Sequence, residues 1–293
     1  MTSTALPATL QAAIDAAQAA ERQGRRAEAR SRYEAALRGL DRTTPPGTAS
    51  ALIRWIGRTY MDDGDIAAAL DCYRAAFAIA RAARDPAAIG HALNLTAIAL
   101  WRRGHLDRAA RLFARARTAS RRARDARLVA MIDQNLGVIA NIRGELDAAL
   151  RRYQASLRTY RRLDDQASLG ALLNNLGMLY TDLRRWEDAE QAYDEARRIA
   201  ARLGDQNAHA MIAVNQTELW IARGELDTAR HTCRDALRTA RRAGNRRAVA
   251  EALKFAGVIH REGGDARAAE RALRRAARLA DSLEDRLLAA EIA

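Results

Sequence analysis

The chain is predicted to be all-α on three observations: a forty-residue repeat running almost end to end, a helix-forming alphabet, and no strand patterning. Glycines stand at 24, 64, 104, 144, 224 and 264, with Arg184 in the one remaining slot of that series. Aromatics are only 5% of the 293 residues and there are 4 prolines, while Ala, Leu, Arg and Glu recur throughout, residues that lose little on entering a helix. Strand formers never gather into alternating, turn-bounded runs, so no sheet is expected.

Each repeat reads as helix A, a turn at the glycine slot, and helix B. The glycine marks where helix A must end in a left-handed turn, which costs a residue with a Cβ roughly 1 kcal/mol or more. Arg184 must accept that strain or a slightly different turn. Five residues after each slot stands an alanine, from Ala29 to Ala269, which lets the two helices approach closely. Nine after the slot comes a larger residue (Tyr33, Tyr73, Phe113, Tyr153, Tyr193, then Cys233 and Leu273), expected to fill the gap beside the alanine. A second mark closes each unit: Asp85, Asp125, Asp165, Asp205, Asn245 and Asp285 are expected N-caps, with Pro86 at a first helical position where its missing N–H costs nothing. Helices of about 17 residues follow, in repeats over about 8–45, 46–85, 86–125, 126–165, 166–205, 206–245 and 246–285 of a single array. Thr43 to Gly47 forms the one irregular junction, and 286–293 begins a further helix A, expected to stop short with its apolar face open, as in a piece of a longer protein.

These columns resemble the tetratricopeptide repeat. The best matches are Asn135-Leu136-Gly137 through Gly144-Glu145-Leu146-Asp147-Ala148-Ala149 to Tyr153 and Ser156, and Asn175-Leu176-Gly177 through Tyr180, Trp186 and Ala189 to Tyr193 and Ala196. The unit is longer than the usual 34 residues and is similar to the extended variant of bacterial regulatory proteins. The resemblance implies a right-handed superhelical solenoid of about seven antiparallel helix pairs, with A-helix residues lining a concave groove that receives a protein or peptide.

Carried onto this sequence, the groove positions lie ten, nine, six and three residues before each slot. Ten before stand Asn94, Gln134 and Asn174; nine before, Asn135, Asn175 and Asn215. A row of amides can pair with the backbone of an extended peptide whatever its sequence, or can bond between neighbouring helices. Six before stand Ile98, Val138, Met178 and Val258, with Glu218 in the same column, and three before, Trp101, Asn141, Thr181 and Ile221, with Met211 at thirteen. This largely apolar set suits an amphipathic partner segment or a shared core.

Other chemistry finds little footing. Lys254 is the single lysine, and no glycine-rich loop ends in Lys-Ser/Thr. His91, His105, His209, His231 and His260 are scattered singly, so no metal, cofactor or catalytic centre is expected. Cys72 and Cys233 lie in different repeats and read as free thiols of a reducing, cytoplasmic compartment. No membrane partner is expected. The net charge of +13 leaves an alternative, a nucleic-acid-binding solenoid, although runs such as Arg121-Arg122 sit where a B helix ends and its dipole favours cations. A second alternative is a regulatory module fused to an enzymatic effector outside this chain.

Overall fold

The computed structural model describes residues 6–41 and 44–292, so Arg42 and Thr43 of the irregular junction lie outside the described residues. Fifteen helices and no strand occur among them: α1 (Ala8–Arg22), α2 (Arg26–Arg38), α3 (Pro46–Asp63), α4 (Ile66–Ala82), α5 (Pro86–Arg102), α6 (Leu106–Arg122), α7 (Ala126–Ile142), α8 (Leu146–Arg162), α9 (Gln166–Asp182), α10 (Trp186–Leu203), α11 (Gln206–Ala222), α12 (Leu226–Arg242), α13 (Arg246–Glu262), α14 (Ala266–Asp281) and α15 (Arg286–Ile292). Odd-numbered helices take the A positions and even-numbered helices the B positions, packed in pairs such as α3 with α4, α9 with α10 and α11 with α12, and α15 follows as a last A helix. The chain divides into two units, Met1–Ile132 and Asp133–Ala293.

The punctuation seen in the sequence has a direct structural counterpart. Gly24, Gly64, Gly104, Gly144, Gly224 and Gly264 all adopt positive φ, and Arg184 does so too, at 55°. At Gly144 the turn closes with Glu145 N–H donating to Ala140 O (2.9 Å), the six-to-one bond that satisfies a carbonyl the helix end leaves open. The second mark is a cap: the Asp165 carboxylate accepts from Ser168 N–H at 3.1 Å, Asp205 from Ala208 at 2.9 Å and Asn245 from Ala248 at 3.0 Å. Just before these caps lies a further left-handed position, filled by Gly204 and Gly244 in two cases but by Arg84, Arg124, Asp164 and Glu284 in four.

Packing inside each pair is set by the alanine, the large residue and a glycine on helix A. Ala149 and Ala189 are wholly buried, as is Tyr193, and Tyr153 is almost so. A Cβ built on Gly177 would meet Tyr193 Cε1 at 2.5 Å, and one on Gly137 would meet Tyr153 Cε1 at 2.5 Å. Glycine is required there by the closeness of the ring, since both positions lie inside regular helices α9 and α7. In the first unit Gly57 and Tyr73 repeat the arrangement, at 2.6 Å.

One expectation is corrected. The apolar side of α15 is not left open: Leu288 and Ile292 are buried with Leu253, Ala276 and Ala280. The Asp285 cap, accepting from Leu288 N–H at 3.1 Å, starts the helix so that these two residues turn toward the pair α13 and α14.

Candidate functional site

In the second unit α9 packs against α11 and α11 against α13, so successive A helices form a layer of their own beside the B helices. Position decides what each predicted groove residue does. Gln134 is buried and its Oε1 accepts from the Tyr160 hydroxyl at 3.0 Å. Asn215 is buried and donates Nδ2 to Asn174 Oδ1 at 3.0 Å, joining α11 to α9. Thr181 is buried with its hydroxyl donating to Gly177 O at 2.9 Å. Asn135, Val138, Asn141, Asn174, Asn175, Met178, Met211 and Glu218 are half-buried, neither core nor open surface. In the first unit Ile98 and Trp101 are likewise half-buried, whereas Asn94 is 2% exposed with its Nδ2 3.7 Å from Met131 Sδ. The amides of Gln134, Asn141, Asn174 and Asn215 therefore bond to neighbouring helices, while Asn175 and Met178 keep part of their surface in reach of solvent.

Charge is the feature that periodicity did not reveal. The A layer of the second unit gathers Asp182, Glu218 and Glu251, with Glu291 following on α15. Burial pushes the Glu218 carboxyl up to about 7; Lys254 opposes the shift, and Asp182, Glu291 and Glu251 add to it. Lys254 is itself held 2.8 Å from Glu291 and lies over the Phe255 ring at 4.6 Å. Asp182 is raised by burial and drawn back by Asn141, whose Nδ2 donates to Asp182 Oδ2 at 2.8 Å. Tyr193 is raised by burial, with Thr181 acting the other way and Glu218 and Asp182 pushing further up. Its hydroxyl is buried without a hydrogen-bond partner, as is Asn141 Oδ1. A sequence signal for Asp182 existed, an acid two residues before a slot that holds Arg184, but nothing in the spacing brought it near Tyr193.

No group of three His, Cys, Asp or Glu among the described residues could hold a metal ion, and no helix among them is long and apolar enough to cross a membrane. Cys72 and Cys233 are free thiols, and burial pushes Cys233 up to about 11, which leaves it protonated and unreactive near neutrality.

Paired helices on a fixed step, closed by left-handed turns and side-chain caps, define a helical-hairpin repeat protein. The chain belongs to the tetratricopeptide-repeat family: residues 126–291 match the MalT-like TPR region and residues 47–122 match the tetratricopeptide repeat. No curated protein matches it in sequence. Among solved structures it is similar to the Rap conjugation gene regulator of the plasmid pLS20 in complex with the Phr* peptide, at 16% identity and a TM-score of 0.79 over 94% of this chain and 74% of that one. It is also similar to a Rap protein complexed with competence and sporulation factor (15% identity, TM-score 0.73, 91% and 73% covered). A third likeness is to aspartyl phosphate phosphatase F from Bacillus subtilis (11% identity, TM-score 0.68, 88% and 67% covered). At these identities the likeness is one of fold.

Proposed function

We propose that the chain is a non-catalytic protein-interaction scaffold that binds a peptide or helix along the A layer of its second unit, within a cytoplasmic bacterial signalling protein. The observation that carries this reading is the set of half-buried amides and thioethers on two neighbouring helices: Asn174, Asn175 and Met178 on α9, and Met211 on α11. Side-chain amides offer a donor and an acceptor to an extended backbone, and methionine adapts its shape to an apolar side chain. Two regulators of similar fold, solved with a competence and sporulation factor and with the Phr* peptide, support a peptide as the partner. The two free thiols fit a reducing compartment. Any effector chemistry would lie outside these residues.

The test is selection of a randomised peptide library on the immobilised chain, followed by the double substitution Asn175→Ala/Met178→Ala. Loss of about tenfold or more in affinity for the selected peptides, with helical circular dichroism unchanged, is the expected result. Undiminished affinity would sink this reading.

A further inference from the structure

We infer that Arg108, Arg111, Arg115 and Arg122 of α6 form a docking stripe for the sugar–phosphate backbone of duplex DNA, used without regard to base sequence. The stripe lies on the first unit and is separate from the peptide-binding layer proposed for the second.

At about 100° and 1.5 Å per residue, the four arginines fall within about 60° of one another around α6 and span about 21 Å along it. All four are exposed, on the side away from Ala109, Phe113, Ala116 and Ser120, which α6 buries. None of the four has an ion-pair or hydrogen-bond partner among the described residues. On other B helices an acid about one turn away answers an exposed arginine: Asp194 with Arg197 at 2.5 Å, Asp235 with Arg238 at 2.8 Å and Glu270 with Arg274 at 2.6 Å. On α6 the neighbours at that spacing are arginines, Arg108 with Arg111 and Arg111 with Arg115, a like-charge arrangement that works against the helix. Arg108 also stands in the first turn, where the helix dipole disfavours a cation. The repeat does not ask for this stripe, since the same register positions on α10 hold Asp188, Gln191, Glu195 and Arg202.

The surroundings of the stripe select its partner. An acidic protein would draw its affinity from buried aromatic or aliphatic anchors, and a membrane surface from inserted apolar side chains. Ala114 is the one apolar residue exposed on α6, and among the described residues of the first unit no large hydrophobic side chain is exposed. Single strands are held by stacking on aromatics, and the one ring of α6, Phe113, is wholly buried. What remains is a partner recognised by charge alone. Duplex DNA carries one phosphate charge per about 1.7 Å of its axis, so a straight row of guanidiniums about 21 Å long meets a dense line of phosphates, and the counterions released there drive binding. Phosphate contacts carry no base information, so no sequence preference follows.

The experiment measures binding of the full chain, at about 50 to 200 mM salt, to two fluorescent duplexes of unrelated sequence and about 24 base pairs, with the matching single strands, a polyglutamate peptide and phosphatidylserine vesicles as competitors. Both duplexes should bind within about threefold of each other, and log K should fall against log salt with a slope of about −3 to −4, as four phosphate contacts require. The combined substitutions Arg108→Gln, Arg111→Gln, Arg115→Gln and Arg122→Gln should weaken binding at least about tenfold at about 50 mM salt and flatten that slope, with helical circular dichroism unchanged. A charge-matched control on exposed arginines of the second unit, Arg234→Gln, Arg271→Gln, Arg275→Gln and Arg278→Gln, should shift affinity by less than about threefold. An equal loss in that control overturns the assignment to α6. No retention of either duplex at about 50 mM salt overturns the proposal, as does tighter binding of single strands, polyglutamate or vesicles than of duplex. A preference of more than about tenfold between the two duplexes overturns the reading of backbone contact alone.

Discussion

Six residues before the turn, the first unit carries Arg58 on α3 and the second carries Glu218 on α11, two charges in one register position with opposite fates. Arg58 Nη2 donates to Glu21 Oε2 at 2.7 Å, and the Tyr33 hydroxyl donates to the same oxygen at 2.8 Å. Burial works against the Arg58 guanidinium, yet Glu21 outweighs it and the pKa rises, so the group stays charged. Glu218 has no such partner, and Tyr193, at the register position of Tyr33, has a hydroxyl with nothing to bond. The difference teaches that the repeat fixes where a side chain stands, while its neighbour from the adjoining repeat decides whether it is complete. The first unit pairs Arg58 internally, although its own Tyr73 hydroxyl and Trp101 Nε1 are buried without a partner, whereas the second unit buries Glu218 with no counter-ion on the neighbouring repeat.

The comparison can be broken most severely in the core. Phe113 and Cys233 occupy the same column in the two units and are 0% and 4% exposed. Phe113→Ala should cost the first unit about 3 to 5 kcal/mol, while Cys233→Ala, which removes one sulfur, should cost the second about 1 kcal/mol. Hydrogen-exchange mass spectrometry, which reads each unit separately, checks both values.

The charged pair should respond with opposite signs. Arg58→Met strands Glu21, whose side chain is 14% exposed, and should lose about 1 to 3 kcal/mol, reduced from the fully buried case because Arg58 is 43% exposed. Glu218→Gln removes an acid whose folded-state pKa lies above its ordinary 4.5, at about 7. Between those values the native state binds more protons than the unfolded chain, so stability falls as pH rises through that window. The variant should be more stable than the parent by about 1 kcal/mol at pH 8, with the difference vanishing toward pH 4, as chemical denaturation at several pH values would show.

A smaller effect separates the units at acid pH. Burial, with Arg54 and Arg127, holds His91 down at about 4 against the pull of Asp125 and Asp85. A depressed histidine lets the unfolded chain bind the extra proton, so the first unit should lose stability as pH falls from about 6.5 toward 4. His91→Gln should make that slope shallower in exchange measurements on α5, and an unchanged slope would remove His91 from the account.

Those features of the fold that depend on one repeat compared with the next were legible in the sequence. Gly144 and Gly224 announced the left-handed turn, Asp165 and Asp205 the caps, and Ala189 with Tyr193 the close approach, because each is a local demand repeated at a fixed step. Contacts between repeats were not. Asn215 and Asn174 are 41 residues apart and bond because α9 and α11 pack together, and the sequence left pairing and peptide contact equally open. Tyr193 was legible as a filler of space but not as an orphaned hydroxyl, since its chemistry depends on the carboxylates that α9 and α11 bring to it. Gln134 likewise reads as a groove amide until Tyr160 is seen to occupy it.

The junctions between repeats carry one more consequence. Gly204 and Gly244 take the left-handed conformation freely, whereas Arg84, Arg124, Asp164 and Glu284 hold it with a side chain attached, at φ near 50°. Each of those four connectors therefore stores about 1 kcal/mol that a glycine would release. The array thus contains joints of two stiffness grades, and a glycine at 84, 124, 164 or 284 would raise its robustness without altering any A-helix side chain.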